Sequence, residues 1–401
     1  MIVGAGQAGL SVAEKLRAYG FRGAIMLVGD EPYAPYQRPP LSKAYLLGNL
    51  ERERLKLKAE DWYEKNTIDV RTGVGVGSID RQRQCVHLAD GATLPYDQLV
   101  LATGAVARQL PEAMGGSLAG VFTIRSLTDI DRLSPAIEKG GNLLVVGGGY
   151  IGLEIAAVAR SIGMVVNVVE VADRLLARVA CAETAAEVEA LHRLQGVTFH
   201  LGKSLDRLLG TDRVTAARLA DGTTIEADLV VAGVGALPAT GLAEAAGLLV
   251  DNGVVVDAFG RTSDPCIWAA GDCANFSLPE GALRMESVGN AIDSGDLVAR
   301  NIMGAHQPYL PKPWFWSDQF DLKLQIAGIS RPKDAVVVRK GEGPGRSHWY
   351  YRDGRLVAVD GLNAPRDYLI GKRLLAMSVS PDSAQVADAA IALEIFAKPS
   401  A

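Results

Sequence analysis

One pattern occurs twice in this chain and limits what it can fold into. Ile2-Val3-Gly4-Ala5-Gly6-Gln7-Ala8-Gly9 leads into an apolar helical stretch and then Ile25-Met26-Leu27-Val28-Gly29-Asp30. Leu144-Val145-Val146-Gly147-Gly148-Gly149-Tyr150-Ile151-Gly152 leads into another, followed by Val166-Asn167-Val168-Val169-Glu170. Each copy reads as a strand, a glycine turn, a helix and a second strand ending in an acid, and the two copies stand 143 residues apart. The first glycine permits a sharp turn, the second lets a pyrophosphate approach the backbone, and the third lets the helix pack on the strand. The N–H groups and dipole of the helix then face the phosphate. The closing acid stands 21 residues beyond Gly9 in one copy and 18 beyond Gly152 in the other, where it can accept both hydroxyls of an adenosine ribose. The spacing predicts two dinucleotide sites, one with Gly4, Gly6, Gly9 and Asp30, the other with Gly147, Gly149, Ile151, Gly152 and Glu170.

At 401 residues the chain is too long for one core and suggests two or three domains. With 48% apolar and 22% charged residues it should fold throughout. Its net charge of −5 gives no electrostatic footprint for nucleic acid or anionic lipid. Cys85, Cys181, Cys266 and Cys273 form neither a Cys-x-x-Cys pair nor a secreted disulfide pattern, so a reduced, cytoplasmic setting is expected, with no metal site. The apolar stretch from Leu143 to Ala159 holds three consecutive glycines and Glu154, which argues against a membrane span. Met1-Ile2-Val3 opens directly into a strand without a basic region, so no export signal is visible.

Two further apolar runs, Gln98 to Gly104 and Cys266 to Asp272, suit buried parallel strands whose carboxyl ends meet a ligand. The first would return to the first dinucleotide domain from an insertion, the second after the second domain is complete. The order is therefore nested: residues 1–108 and 240–308 form one domain, 109–239 the next, and 309–401 a third, with Pro308, Pro311 and Pro313 at the boundary. The last domain shows strand-like runs at 323–328, 335–339, 347–351 and 356–359, with a turn at Asp353-Gly354, then helices over 365–377 and 381–396. The fold class expected is α/β, two Rossmann-like domains nested as in glutathione reductase plus a C-terminal α+β domain with an antiparallel sheet.

Five strings carry a family resemblance: Arg38-Pro39-Pro40-Leu41-Ser42-Lys43, Gly147 through Glu154, Gly271-Asp272-Cys273-Ala274, Glu286-Ser287-Val288 and Pro313-Trp314-Phe315-Trp316-Ser317-Asp318-Gln319. With them the chain resembles the two-dinucleotide flavoprotein reductases. Among these it is similar to the NADH-dependent ferredoxin reductases of bacterial oxygenase systems, the putidaredoxin reductase and biphenyl dioxygenase ferredoxin reductase type. The resemblance implies FAD in the first domain and NADH in the second. Gly4, Gly6, Gly9 and Asp30 would hold the FAD pyrophosphate and ribose, and Arg38, Lys43, Val76, Thr103, Arg125, Asp272 and Val288 would line the rest. Asp272 alone could equally be a helix cap. Gly235 joins Gly147, Gly149, Ile151, Gly152 and Glu170 on the NADH side.

The family also implies that Lys43 and Glu154 pair close to flavin N5, positioning the nicotinamide and offsetting charge as hydride arrives. It makes Tyr150 an aromatic gate over the flavin and Trp316 a candidate electron exit. A packing role is the competing expectation for both aromatics. Glu170 favours NADH, since a carboxylate accepts the 2′-hydroxyl and repels a 2′-phosphate, and the nearest basic residue is Arg174. Relatives that reduce disulfides or peroxide carry cysteine where this chain reads Pro39-Pro40-Leu41-Ser42-Lys43, with Ser42 near the thiol position. A hydroxyl cannot store electrons, so they must leave one at a time to an external acceptor.

That acceptor is expected to be a two-iron two-sulfur ferredoxin serving a haem monooxygenase or ring-hydroxylating dioxygenase. It would meet the chain transiently at a local basic patch drawing on Arg300, Lys312 or Lys323, and the chain itself would be a monomer or weak dimer. A rubredoxin is the close variant. An NADH-sensing interaction protein similar to apoptosis-inducing factor is the rival, and a thiol-dependent NADH oxidase or peroxidase the third. One departure is Leu237-Pro238-Ala239-Thr240 where many relatives read Pro-Asn, which leaves the geometry around Ala239 open.

Overall fold

A computed structural model describes residues 1–279, 281–341, 343 and 345–397. The chain forms two compact units. One comprises Met1–Arg38, Glu51–Val106 and Ala236–Pro311; the other comprises Pro39–Leu50, Ala107–Gly235 and the residues from Lys312 on. Among the described residues no helix is long and apolar enough to cross a membrane.

The first unit is built on a five-stranded parallel sheet in the order Ile267–Ala269, Leu99–Leu101, Ile2–Val3, Ile25–Val28, Ile68–Arg71. Successive side chains point to opposite faces, and both faces are covered, so alternation in space leaves no alternation in polarity. Ile2, Leu27, Val100 and Trp268 enter one core, Val3, Val28, Leu101 and Ala269 the other. Helix Gln7–Ala18 packs against helix Val288–Ile302, and Gly295 permits it, because a Cβ there would lie 2.8 Å from that of Ser11.

The second unit holds a matching parallel sheet, in the order Thr198–Leu201, Val165–Glu170, Asn142–Val146, Leu229–Ala232, Val121–Phe122. It also holds a five-stranded antiparallel sheet, in the order Trp314–Gln319, Leu322–Gly328, Arg355–Leu362, Arg346–Arg352, Ala335–Lys340. The hairpin joining Arg346–Arg352 to Arg355–Leu362 turns on Asp353 (φ 49°) and Gly354 (φ 74°), the paired positive dihedrals that a two-residue connection of matching twist requires.

The helix expected over 381–396 is present only in part. Ser383–Ala387 is helical and Leu393–Ala397 forms a 3₁₀ turn, with Asp388 extended between them (φ −77°, ψ 107°). The cause is Arg339, a buried guanidinium on strand Ala335–Lys340. It donates to the carbonyls of Val386 (2.9 Å), Asp388 (2.6 Å), Ala389 (3.3 Å) and Ile391 (2.9 Å). Four carbonyls bound to one planar fork leave the segment no need of helical partners, and helical periodicity cannot register a cation some 50 residues away. Arg339→Leu should lower the stability by about 3 kcal/mol in urea unfolding, since it removes four hydrogen bonds and strands the buried Val386 acceptor. Arg339→Lys should recover only part of this, a point charge being unable to span four carbonyls.

A second buried polar group joins helix Ala182–Leu194 to the antiparallel sheet. Thr184 Oγ1 donates to Asp360 Oδ2 and meets His348 Nδ1, both at 2.7 Å; the Tyr350 hydroxyl also donates to Asp360, and the Cys181 N–H donates to Tyr350 at 3.3 Å. Cys181 Sγ, His348 and Asp360 bring potential metal-ligating atoms within 4.8 Å of one another, and this hydrogen bonding already accounts for their approach. Burial raises the Asp360 carboxyl from 3.8 to about 6, against the opposing donors Tyr350 and Thr184. The folded protein therefore keeps a proton that the unfolded chain has lost, and stability falls as pH rises through that window, by about 3 kcal/mol in all. In Asp360→Asn this slope should vanish, so urea unfolding at pH 4 to 6 should show the variant gaining on the parent with rising pH. A constant difference would contradict the assignment.

Candidate functional site

The glycine turns of the two units have the same construction. In the first, Gly4 has φ +114°, and a Cβ on it would stand 2.0 Å from the Ala102 carbonyl oxygen; one on Gly9 would stand 2.0 Å from that of Gly4. In the second, Gly147 has φ +110° and would meet the Gly233 oxygen at 2.4 Å, while Gly152 would meet that of Gly147 at 2.3 Å. The middle glycines differ: a Cβ on Gly6 or Gly149 finds no atom within 4 Å. First and third glycines are thus required by close packing, and the second faces open space, the division of labour that pyrophosphate binding demands. Both helices also lack a cap. Gly6 and Gly149 are the N-cap residues, without a side-chain hydrogen bond and without an acid in the first turn, whereas Ser126, Cys181 and Ser287 cap three other helices with side chains. Free N–H donors at a positive dipole end, beside a cradle with no side chain, fit a dinucleotide phosphate in each unit.

The predicted Asp30, Arg38, Val76, Thr103, Asp272 and Val288 lie in the same unit as the first cradle. Asp30 ends strand Ile25–Val28 after Gly29 and accepts the Glu31 N–H at 3.0 Å. Glu31, which the sequence did not single out, holds two neighbours: it accepts from Arg38 and from the Tyr36 hydroxyl at 2.5 Å. The only signal for it was its place beside Asp30. Asp272 lies in the 3₁₀ turn Gly271–Cys273, and Val288 opens the helix capped by Ser287. The backbone at Ala239 is fixed from both sides, its oxygen accepting from the Thr103 hydroxyl at 2.7 Å and its N–H donating to Gly104 at 2.9 Å.

The second unit holds Lys43, Arg125, Gly147, Gly149, Tyr150, Ile151, Gly152, Glu154, Glu170, Gly235 and Trp316. Glu170 ends its strand and accepts the Gly148 N–H at 2.6 Å and the Ala172 N–H at 2.8 Å, so the acid is fixed beside the glycine turn. The Arg125 N–H donates to Asp129 within the capping box of the following helix. Gly235 (φ +99°) accepts from the Arg108 N–H at 3.0 Å.

Helix Tyr150–Ser161 packs on strand Trp314–Gln319 in commensurate steps. Four residues along a helix rise about 6 Å and two along a strand about 6.6 Å. Tyr150 therefore meets Phe315, with ring centroids 4.3 Å apart, while Glu154 meets Ser317. The same alternation puts Trp314 and Trp316 together on the other side, stacked at 5.5 Å. Tyr150 is in contact with this aromatic row, and its buried hydroxyl has no hydrogen-bond partner.

Glu154 is only 4% exposed. Its Oε1 accepts from Lys43 Nζ at 2.8 Å and from the Ser317 hydroxyl at 2.6 Å, and its Oε2 accepts from the Ser42 hydroxyl. Burial pushes its pKa up, and Lys43, Ser317 and Ser42 oppose that shift. All three donors point at the carboxylate, an arrangement that suits the ion. The sequence anticipated the Lys43–Glu154 pair through the family resemblance, but not the two serines. In the sequence Ser42 stands out only as the residue at a thiol's position. The four cysteines are free, with Cys85 and Cys273 buried and Cys181 and Cys266 half-buried.

Comparison with known proteins agrees with this construction. Residues 1–295 match the pyridine nucleotide-disulphide oxidoreductase family and residues 314–397 the reductase C-terminal family. Rhodocoxin reductase of Rhodococcus erythropolis is 40% identical, covering 98% of this chain and 94% of that protein. Rubredoxin-NAD(+) reductase of Pseudomonas putida is 40% identical over 91% of this chain and 96% of its own. The reductase in the covalent putidaredoxin reductase–putidaredoxin complex superimposes with a TM-score of 0.93 at 39% identity, covering 98% of this chain and 97% of that one. Two glycine cradles, two ligand-ready helix ends and this similarity over nearly the whole length lead to one conclusion: the chain belongs to the pyridine nucleotide-disulphide oxidoreductase family, whose members work with FAD and a nicotinamide dinucleotide.

Proposed function

We propose that the chain is an NADH:ferredoxin oxidoreductase, passing single electrons to a small two-iron two-sulfur ferredoxin that serves a haem monooxygenase or a ring-hydroxylating dioxygenase. The observation that carries this reading is Ser42. Where disulfide- and peroxide-reducing relatives place a thiol, this chain places a hydroxyl whose proton is committed to Glu154. No sulfur is at hand to take electrons there. The named relatives, reductases of rhodocoxin, of rubredoxin and of putidaredoxin, support an external one-electron acceptor. Rubredoxin is the second acceptor to test.

Bound FAD supplies the conversion between a hydride donor and a one-electron acceptor. Gly4, Gly6, Gly9 and Asp30 would hold its pyrophosphate and ribose, with Arg38, Val76, Thr103, Asp272 and Val288 of the same unit around the remainder. Lys43 and Arg125 are assigned to it through the resemblance. Gly147, Gly149, Ile151, Gly152 and Gly235 would hold NADH. Glu170, already turned to the Gly148 N–H, would accept the ribose 2′-hydroxyl. Lys43 and Glu154 would orient the nicotinamide and balance charge without releasing a proton, Tyr150 would shield the reacting ring until the nicotinamide displaces it, and Trp316 would mark the exit. Of the cations expected at the partner's landing site, Arg300 already pairs with Asp296 at 2.8 Å, which leaves Lys312 and Lys323 as the candidates.

Anaerobic mixing with NADH should bleach the flavin at least tenfold faster than with NADPH, about 1.4 kcal/mol of discrimination, and Glu170→Gln should erode that ratio. Cytochrome c reduction by NADH should require an added ferredoxin, with rubredoxin as the comparison arm. Rapid oxygen uptake without either acceptor would contradict the proposal.

A further inference from the structure

Behind Ser317 the buried polar chain continues. Gln319 Nε2 donates to Ser317 Oγ at 3.0 Å, and Gln319 Oε1 meets His192 Nε2 at 2.8 Å. Ser317, Gln319 and His192 are all at most 1% exposed, and none carries a counter-charge. Chemistry fixes the direction of every bond. A carboxylate only accepts, so Ser317 must donate to Glu154. Its oxygen must then receive from the Gln319 amide nitrogen, which turns the amide oxygen toward His192, and His192 must present an N–H at Nε2. The other nitrogen, Nδ1, is then a bare lone pair, and it is indeed buried without a partner. Burial lowers the imidazole from 6.5 to about 4, so it remains neutral. The ring is clamped edge-on by Phe199 at 5.9 Å and by Phe320 at 5.0 Å. Phe320 holds φ 55°, a left-handed backbone that a bulky residue rarely adopts.

We propose that His192 and Gln319 are positioning residues for Glu154, setting the direction of the chain so that the Ser317 hydroxyl always points its proton at the carboxylate. This rests on the site assigned to Glu154 above. Without the imidazole N–H the amide oxygen loses the donor that holds it away from Ser317, and only the Ser317 oxygen still favours the present orientation. Once the amide flips, it offers its oxygen to Ser317 and draws the hydroxyl off Glu154. The charged and titrating groups facing Glu154 are Lys43, from the segment Pro39–Leu50, and Tyr150, on its own helix. Strand Trp314–Gln319 presents the neutral Ser317.

The test is the pH profile of flavin reduction by NADH in single-turnover mixing, with the holoenzyme. The parent should show an acid limb set by Glu154, which Glu154→Gln abolishes. In His192→Leu and Ser317→Ala the limb should move to higher pH by about one unit, the loss of one donor to an ion. His192→Gln keeps an N–H donor and should keep the parental limb. If the variants bind flavin and retain the parental limb while Glu154→Gln abolishes it, the positioning role is refuted and the Glu154 site stands. If Glu154→Gln leaves the limb in place, the site falls and this inference with it. Nitrogen-15 NMR of the parent's five histidines reads the tautomer without any substitution. It should show His192 as the Nε2–H form, unprotonated to pH 5, and an Nδ1–H form would overturn the proposal.

Discussion

A carboxylate that is 4% exposed cannot remain an ion unaided, because removing it from water costs several kcal/mol before any partner is counted. Glu154 therefore depends on its surroundings, and three side chains of the second unit meet that dependence. Lys43 brings the opposite charge, and Ser42 and Ser317 bring protons from opposite sides of the sequence, 112 and 163 residues from the acid. Replacing such a pair with packed apolar side chains commonly costs nothing or stabilises a protein. Its presence beside a dinucleotide cradle is best explained by chemistry that needs a fixed charge pair.

Two solutions to polar burial stand side by side in this unit. Around Glu154 the donors converge and carry a full positive charge. Around Asp360 only neutral hydroxyls are supplied, from Tyr350 and Thr184, and the acid titrates near 6. Burial pushes both acids up, and only at Glu154 does a cation oppose it. The helix ends differ too: Ser126, Cys181 and Ser287 cap their helices with side chains, while the helices behind Gly6 and Gly149 have no side-chain cap.

What the sequence revealed were the features governed by backbone geometry. Gly4, Gly9, Gly147 and Gly152 have no alternative, because any Cβ would enter a carbonyl, so their spacing is a readable constraint. The Asp353-Gly354 turn is legible for the same reason. Side chains meeting across long separations were not. Arg339 unwinds a helix that periodicity alone predicts, and Ser317 and Gln319 sit inside an aromatic string that drew attention to Trp316 instead. His192 carried no local signal, since its role depends on Gln319, 127 residues away.

The central claim is that Glu154 is charged in the resting protein at neutral pH. Infrared difference spectroscopy of the parent against Glu154→Gln, both with flavin bound, examines this directly through the carbonyl stretch that only a protonated carboxyl gives. The account predicts no such band assignable to Glu154 at pH 7 and its appearance on acidification; a protonated carboxyl already present at pH 7 would contradict it.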